Sequence, residues 1–330
     1  MVTVKDVPAE TGTAAGTGNG QTPHRQRRIR HRLTAGRHRP PRRAMPAVTE
    51  AVKTRADAAK AISTEEGAAA RGAGTAREMT PEQKAEALLP GERLDDLQRG
   101  GLYIIQDPAL FCFGMDAVLL SDFAACREGD RVLDLCSGNG IIPLLLYARY
   151  PGITVTGLEL NEKSTSLASR SFRLNSLEDK LSMVTGDVRE ASRLFGHASF
   201  HVVTANPPYM KAAGGLKNPD SAKAMARHET ACSFDDVCAA AAHCLKSSGR
   251  FYLVHRPSRL PELIVAMKEH HLEPKRMRMV HPCADKAANL VLIEAVKGGG
   301  EELKLLPPLI VYKEDGSYTD EIYRIYGAES

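Results

Sequence analysis

The motif Asn206-Pro207-Pro208-Tyr209 contains residue types that could activate a substrate amine. The side-chain carbonyl of Asn206 and the main-chain carbonyl of Pro207 can each accept one hydrogen from an –NH₂ group. Two acceptors on a loop stiffened by prolines favour a pyramidal nitrogen with an available lone pair. The ring of Tyr209 offers a face for a planar group. The motif predicts group transfer to an amide or aromatic amine by positioning, without a strong base. A structural Pro-Pro turn is the alternative.

A second motif, Asp134-Leu-Cys-Ser-Gly138-Asn-Gly140, has the composition of a ligand-binding turn between a strand and a helix. Its glycines allow a tight turn and a close approach of the backbone to a ligand. A dinucleotide-binding loop would carry a small residue three positions after Gly140, and Pro143 stands there instead. The motif therefore predicts a nucleotide-like ligand other than a dinucleotide. A plain tight turn is the alternative.

Three acids, Asp134, Glu159 and Asp187, end or follow three successive predicted strands. Asp134 suits a cationic ammonium group better than phosphates. Glu159 can accept both hydroxyls of a ribose, and Asp187 can accept from an adenine amino group. Each acid alone could be a solvated strand-end residue or a helix N-cap. Because parallel strand ends face one crevice, the three together predict S-adenosylmethionine as the cofactor.

Short β-branched runs alternate with helical stretches at the spacing of βαβ units, and this alternation must position the motifs. The predicted parallel strands are 131–135, 153–158, 181–185, 201–205 and 250–255, and the predicted helices are 141–150, 163–174, 235–245 and 258–271. Residues 275–280 and 290–295 are expected to pair as a hairpin at one sheet edge. The pattern predicts an α/β, Rossmann-like fold with a seven-stranded, mostly parallel sheet, an antiparallel edge pair and helices on both faces.

Two stretches ahead of the first predicted parallel strand, 101–105 and 111–120, have two interpretations. They could form a lid or an extra hairpin packed over the sheet end. Equally, they could be an ordinary N-terminal core element.

The charge of the chain changes sign near residue 88. Residues 1–88 hold 16 Lys and Arg against 9 Asp and Glu, whereas residues 89–330 hold 28 against 31. The first part has few large aliphatic residues, so we expect a disordered basic leader over 1–88 and a catalytic domain over 89–330. Its densest stretch, 24–43, carries nine arginines. This leader could be a nucleic-acid-binding tail, a mitochondrial-type presequence, or an upstream-extended start before Met79.

The remaining composition excludes other classes of protein. No run of 18 apolar residues occurs, so we expect no membrane-spanning helix. Seven cysteines without a CxxC pair favour a reducing, cytoplasmic location. Cys232, Cys238 and Cys244 recur every six residues, a spacing that separates neighbours by about 120° on a helix, so we expect no metal site there.

Several stretches of the chain resemble the bacterial valine-tRNA adenine-N6 methyltransferases, which are class I S-adenosylmethionine-dependent methyltransferases of the small-domain type. The likeness covers roughly residues 91–327 and is carried by Arg93–Gln98, Phe111–Leu120, Asn206–Lys211, Ala226–Glu229, Arg250–Pro257 and Asn289–Glu294. Cys136, Ser137 and Asn139 stand where such proteins often have Gly and Thr. The basic leader has no counterpart in this family.

The resemblance implies a role for each motif. The target would be the adenosine at position 37, beside the anticodon of valine tRNA. The residues implied at the cofactor are Asp134, Gly138 and Gly140 at its methionine end, Glu159 at its ribose and Asp187 at its adenine. The residues implied at the substrate are Asn206, Pro207 and Tyr209 on the target adenine and the basic positions Lys211 and Arg227 on phosphates. Arg276, Arg278 and Lys286 would extend the RNA face. A solvated charged loop is the other interpretation of the basic positions.

Three further functions fit the same motifs. A glutamine side chain of a release factor presents the same planar –NH₂ group, although enzymes of that kind carry a helical substrate domain upstream. Amino groups of another RNA or of DNA are a second possibility. A non-catalytic RNA-binding protein that kept the fold is the third, and the intact acids and Asn-Pro-Pro-Tyr motif argue against it.

Overall fold

The computed structural model describes residues 87–110, 112–209 and 232–327. The strands are β1 (Arg93–Asp96), β2 (Tyr103–Gln106), β3 (Arg131–Leu135), β4 (Thr154–Glu159), β5 (Leu181–Thr185), β6 (Phe200–Ala205), β7 (Leu245–His255), β8 (Leu272–His281), β9 (Leu290–Lys297), β10 (Lys304–Leu305) and β11 (Leu309–Ile310). The helices are α1 (Met115–Phe123), α2 (Ile141–Arg149), α3 (Glu162–Leu174), α4 (Ala191–Leu194), α5 (Phe234–Cys244), α6 (Leu260–Glu269) and α7 (Asp320–Ile325). Short 3₁₀ turns cover Val188–Glu190 and Pro257–Arg259.

The large sheet has the strand order β10-β8-β9-β7-β6-β3-β4-β5, and β11 also pairs with β8. Strands β5, β4, β3, β6 and β7 are mutually parallel, and β9 lies antiparallel between β7 and β8. The predicted α/β fold class, its five parallel strands and its terminal hairpin are therefore confirmed. Two short strands, β10 and β11, add to the predicted seven by pairing with the outer edge of β8. This pairing satisfies backbone groups that an open edge would expose.

The segment before β3 bears out the core-element interpretation for 111–120, whereas 101–105 pairs with an unpredicted strand at 93–96 instead of with 111–120. Strands β1 and β2 form a separate antiparallel hairpin. The hairpin is joined to α3 by hydrogen bonds from Ile105 N to Ser171 Oγ at 3.0 Å and from Tyr103 N to Asn175 Oδ1 at 2.9 Å. Helix α1 is a core element, because Leu119 and Leu120 are fully buried.

Apolar residues cover both faces of the sheet. Successive residues of β6 enter opposite cores, Val202 with α1, α2 and α3, and Val203 with α5 and α6. Cys238 and Cys244 are buried among the apolar residues of the second core. A sheet covered on both faces leaves the ends of its strands as the place where a ligand can enter.

Gly140, the residue before α2, fixes how this helix packs on α3. Its φ of 77° is left-handed, and a Cβ atom added there would lie 2.8 Å from both Ala168 Cβ and Phe172 Cζ. Both the backbone conformation and the packing therefore require glycine.

Replacing Gly140 with alanine should destabilise the protein by about 3 kcal/mol, because left-handed strain adds to overpacking. Gly129→Ala is the matched control, since Gly129 has a φ of 81° and open space around it. It should cost only about 1 kcal/mol. Denaturant unfolding measures both, and equal losses would contradict the packing role of Gly140.

Candidate active site

The predicted site residues gather at the carboxyl ends of four adjacent strands. Along the strand order β5-β4-β3-β6, the cross-strand partners near these ends are Thr185 with Glu159, Leu158 with Leu135, and Asp134 with Thr204. Asp187 follows β5, and Asn206 follows β6 directly. The topology thus brings the three acids and the Asn-Pro-Pro-Tyr motif to one crevice, as the sequence predicts.

Asp134 is a fully buried carboxyl group at the centre of this crevice. Its Oδ1 accepts a hydrogen bond from Thr204 Oγ1 at 2.6 Å. Its Oδ2 has no hydrogen-bond partner among the described residues. Burial raises the pKa of Asp134 to about 7, against smaller opposing effects of the Thr204 and Ser137 hydroxyls. An unpartnered buried oxygen of this kind is expected where a ligand completes the site.

The glycine loop is tied to the end of β4 by Glu159. The two oxygens of Glu159 accept from the backbone N–H groups of Gly138 at 3.0 Å and Asn161 at 2.9 Å. Gly138 has a φ of 56°, and a Cβ added there would meet nothing within 4 Å. The loop therefore leaves open space beside Gly138. Cys136 is also left-handed, with a φ of 58°.

Asp187 already has partners within the chain. It is the N-cap of the Val188–Glu190 turn, and its Oδ1 accepts from Arg189 N at 2.8 Å. The Arg189 guanidinium lies 2.6 Å from Asp187 Oδ2 and holds the pKa of Asp187 below its ordinary value. The structure thus shows the N-cap role, and the contact of Asp187 with adenine stays a prediction.

Asn206 is linked to the start of α1 through Tyr209. The Tyr209 hydroxyl lies 2.6 Å from Asn206 Oδ1 and 2.7 Å from Asp116 Oδ2. Asp116 was not among the residues assigned a role from the sequence, because it lies 90 residues from Asn206 in the chain. Its only signal is its place in the stretch Phe111–Leu120, which contributes to the family resemblance.

The ring of Tyr209 is held from two sides. The His255 ring meets it at a centroid distance of 5.1 Å and an angle of 63°, and the Arg256 guanidinium lies 5.1 Å from its centroid. Burial, and then the nearby charge of Asp116, raise the pKa of Tyr209. Burial lowers the pKa of His255 to about 4, and its Nδ1 accepts from Arg256 N at 2.8 Å. Near neutral pH both Tyr209 and His255 are therefore uncharged.

Three of the five predicted basic positions lie within the described residues, and each of these three pairs with an acid. Lys211 and Arg227 lie outside the described residues. Arg276 pairs with the buried Glu294, and Arg278 pairs with Glu321 at 2.8 Å. Lys286 pairs with Asp285 at 2.7 Å. Arg276, Arg278 and Lys286 are thus each neutralised in part by an acid.

The described ranges contain no cluster of three or more His, Cys, Asp or Glu side chains that could hold a metal ion. Within the same ranges, no helix has the length and apolarity needed to cross a membrane.

Comparison with known proteins identifies the family of this chain. The family model for the methyltransferase small domain matches residues 102–271, which is just over half of the chain. The chain belongs to the methyltransferase small-domain family. It is a methyltransferase, and S-adenosylmethionine is its cofactor.

The similar relatives described below carry the same functional name. The chain is 26% identical over 220 residues to the tRNA1(Val) (adenine(37)-N6)-methyltransferase of Porphyromonas gingivalis, covering 64% of this chain and 86% of that protein. The protein of the same name from Aeromonas hydrophila is 25% identical over 224 residues, covering 68% and 92%. A solved structure of a predicted O-methyltransferase from Agrobacterium tumefaciens has a TM-score of 0.54 and 24% identity, covering 66% of this chain and 98% of that one. This last likeness supports the fold alone.

The residues in the crevice fit S-adenosylmethionine. The orphaned Asp134 Oδ2 can accept from a cationic ammonium group, and the space beside Gly138 admits a ligand against the backbone. Leu160, directly after Glu159 at the end of β4, is 42% exposed. A buried acid, an open glycine turn and an exposed apolar side chain match a ligand with a charged end and a flat ring.

The raised pKa of Asp134 predicts a pH-dependent stability in the protein without cofactor. Because the pKa in the folded state (about 7) exceeds that of free aspartic acid, the folded protein holds this proton more tightly between about pH 4 and 7. Its contribution to the free energy of unfolding therefore falls as pH rises through that window and levels off above it. Asp134→Asn lacks this effect. Relative to wild type, the variant should gain about 2 kcal/mol between pH 5 and 7.5. Denaturant unfolding at the two pH values measures this gain, and an unchanged difference would contradict the buried, proton-binding carboxyl.

Proposed function

We propose that the protein methylates N6 of the adenosine at position 37 of valine tRNA. The observation that carries this proposal is the place of Asn206, at the end of the strand beside the cofactor loop and joined to Tyr209. The names of the similar relatives support the choice of tRNA and nucleotide. An adenine N6 amine is planar and weakly nucleophilic, because its lone pair is delocalised into the ring. Two fixed acceptors favour a pyramidal nitrogen, whose lone pair is available for the methyl group.

The chain contributes to this reaction chiefly by holding the amine. S-adenosylmethionine, when bound, supplies a methyl group activated by a positively charged sulfur. Asn206 Oδ1 and the Pro207 carbonyl accept the two hydrogens of the adenine amine and stabilise the positive charge that develops on its nitrogen. Once the new N–C bond has formed, the nitrogen releases one of these two protons to water, which leaves the neutral methylated amine. Tyr209 keeps its proton because its pKa is raised, so it serves as a contact surface and hydrogen-bond partner rather than as a base.

The acids bind the cofactor in this proposal. Asp134 accepts from the ammonium group through Oδ2, its unpartnered oxygen. Each oxygen of Glu159 accepts one backbone N–H and has a further lone pair for a ribose hydroxyl. Asp187 accepts from the adenine amino group while keeping its bond to Arg189, which is half-exposed and can shift.

The tRNA must present its target base unstacked, because chemistry on a base inside a structured RNA requires that the nucleotide be turned out. Arg256 is exposed and lies over the Tyr209 ring, so it can meet a phosphate beside the flipped nucleotide. Lys211 and Arg227 follow Tyr209 in sequence and are proposed to contact further phosphates.

Asn206→Ala should leave cofactor binding intact and abolish methyl transfer, because it removes one of the two acceptors without touching Asp134, Glu159 or Asp187. Isothermal calorimetry measures the affinity for S-adenosylmethionine. Mass spectrometry of nucleosides from a valine tRNA transcript measures N6-methyladenosine. We expect a Kd within about twofold of wild type and a rate lower by at least about 100-fold. Undiminished methylation by the variant would refute the mechanism.

A transcript with guanosine at position 37 is the substrate control and should accept no methyl group from the wild type. A release factor supplied in place of tRNA tests the alternative hypothesis that the enzyme methylates a glutamine side chain. Methylation of that protein, with an unmethylated transcript, would replace the proposed substrate.

A further inference from the structure

We propose that Asp116 is a positioning residue that sets the orientation of the Asn206 amide through the hydroxyl of Tyr209. This inference rests on the proposed function, since it explains how one of the two amine acceptors is aimed. It assigns a task to a residue at the start of α1, on an element far from the Asn-Pro-Pro-Tyr loop in sequence.

The number of protons in this chain of contacts determines its direction. Tyr209 Oη lies 2.6 Å from the Asn206 amide and 2.7 Å from Asp116 Oδ2. A phenol has one proton to donate. If both neighbours present oxygen atoms, one of the two short contacts brings two acceptors together without a hydrogen between them.

Asp116 is the neighbour that takes the proton. Its carboxylate stands in the first turn of α1, where the helix N-terminus favours negative charge. The Tyr209 hydroxyl therefore donates to Asp116, and its oxygen is left as an acceptor. Asn206 can satisfy that oxygen only by presenting its Nδ2 group. Because the oxygen and nitrogen of an amide are assigned from the hydrogen-bond network, the network requires the flipped amide.

The flip has a direct consequence for the reaction. With Nδ2 donating to Tyr209, the Asn206 carbonyl oxygen points away from the tyrosine and keeps its lone pairs for the substrate amine. In the opposite orientation the amide would present N–H groups to the amine, and those repel its hydrogens. Asp116 thus selects the productive orientation of Asn206.

Two features of the structure keep this chain of contacts rigid. A Cβ atom on Gly114 would lie 2.8 Å from Asp116 Oδ1, so glycine makes room for the carboxylate. His255 and Arg256 hold the tyrosine ring from two sides. The hydroxyl therefore has little freedom to leave its two partners.

Four variants test the proposal by kinetics on valine tRNA. Asp116→Ala and Tyr209→Phe should each lower kcat by about 100-fold, with the KM for tRNA and the Kd for S-adenosylmethionine within about twofold of wild type. The double variant should be no slower than either single variant, because both break the same chain. Asp116→Asn should also lose rate, because its Oδ1 accepts from Ala117 N and its Nδ2 then donates to Tyr209, which turns the tyrosine proton toward Asn206. Losses that multiply in the double variant, or no loss in Asp116→Ala, would overturn the inference.

Asp122→Ala is the matched control for α1. Asp122 lies on the same helix and pairs with Arg149 at 2.6 Å. Its loss removes an ion pair and should leave kcat unchanged. If kcat falls equally in Asp122→Ala and Asp116→Ala, the loss comes from general damage to α1 and not from the contact with Tyr209. That result would overturn the inference.

A readout independent of methyl transfer separates this inference from the proposed function. The side-chain NH₂ signals of Asn206 can be assigned by NMR from their loss in Asn206→Ala. In wild type one of the two protons should exchange slowly with water, and this protection should vanish in Tyr209→Phe, Asp116→Ala and Asp116→Asn. Equal, fast exchange in wild type would refute the inference, whichever substrate the enzyme methylates. A wild type that leaves valine tRNA unmethylated but shows the protected proton would refute the proposed function alone.

Discussion

The hydrogen bond between the buried side chains of Asp134 and Thr204 joins the two halves of the site. Asp134 begins the cofactor loop at the end of β3, and Thr204 stands two residues before Asn206 on the neighbouring strand β6. The bond fixes the distance between the place where the methyl donor is held and the place where the amine is held. It also leaves Asp134 Oδ2, the oxygen proposed to meet the cofactor, without a hydrogen-bond partner among the described residues. A displacement of about 1 Å between these halves would cost about 100-fold in rate, so the rigidity of this strand pair is what the chemistry depends on.

The fold was largely predictable from the sequence because its signals are local. Runs such as 201–205 are short, β-branched and bounded by turns, and a parallel sheet buried on both faces produces that pattern. Strands β10 and β11 have two residues each, which is too short for any periodicity. Their positions are set by the open edge of β8 instead. The pairing of β2 with β1 was not predicted, because the bonds that hold this hairpin on α3 join residues far apart in sequence.

The positions of the proposed site residues were predictable only where a residue type at the end of a strand has few chemical uses. Asn206 follows β6 and Asp134 lies near the end of β3, each in a local motif that by itself suggests a chemical role. Asp116 has no such motif, since a single acid in an apolar helix is most simply a first-turn residue. Its contact with Tyr209 spans 93 positions. The pairing of Asp187 with Arg189 could not be predicted from the sequence either. An acid at the end of a strand can cap a turn or bind a ligand, and the sequence pattern is the same in both cases.

The central claim is that methyl transfer depends on holding a neutral amine and not on removing its proton with a base. Both Tyr209 and His255 are uncharged near neutral pH, and His255 Nδ1 is occupied by a backbone N–H. The most direct test is the single-turnover rate of methyl transfer to valine tRNA at saturating S-adenosylmethionine between pH 7.5 and 9. The account predicts a rate that stays constant across this range. A rate that rises tenfold per pH unit would show that an ionised base takes part and would contradict it.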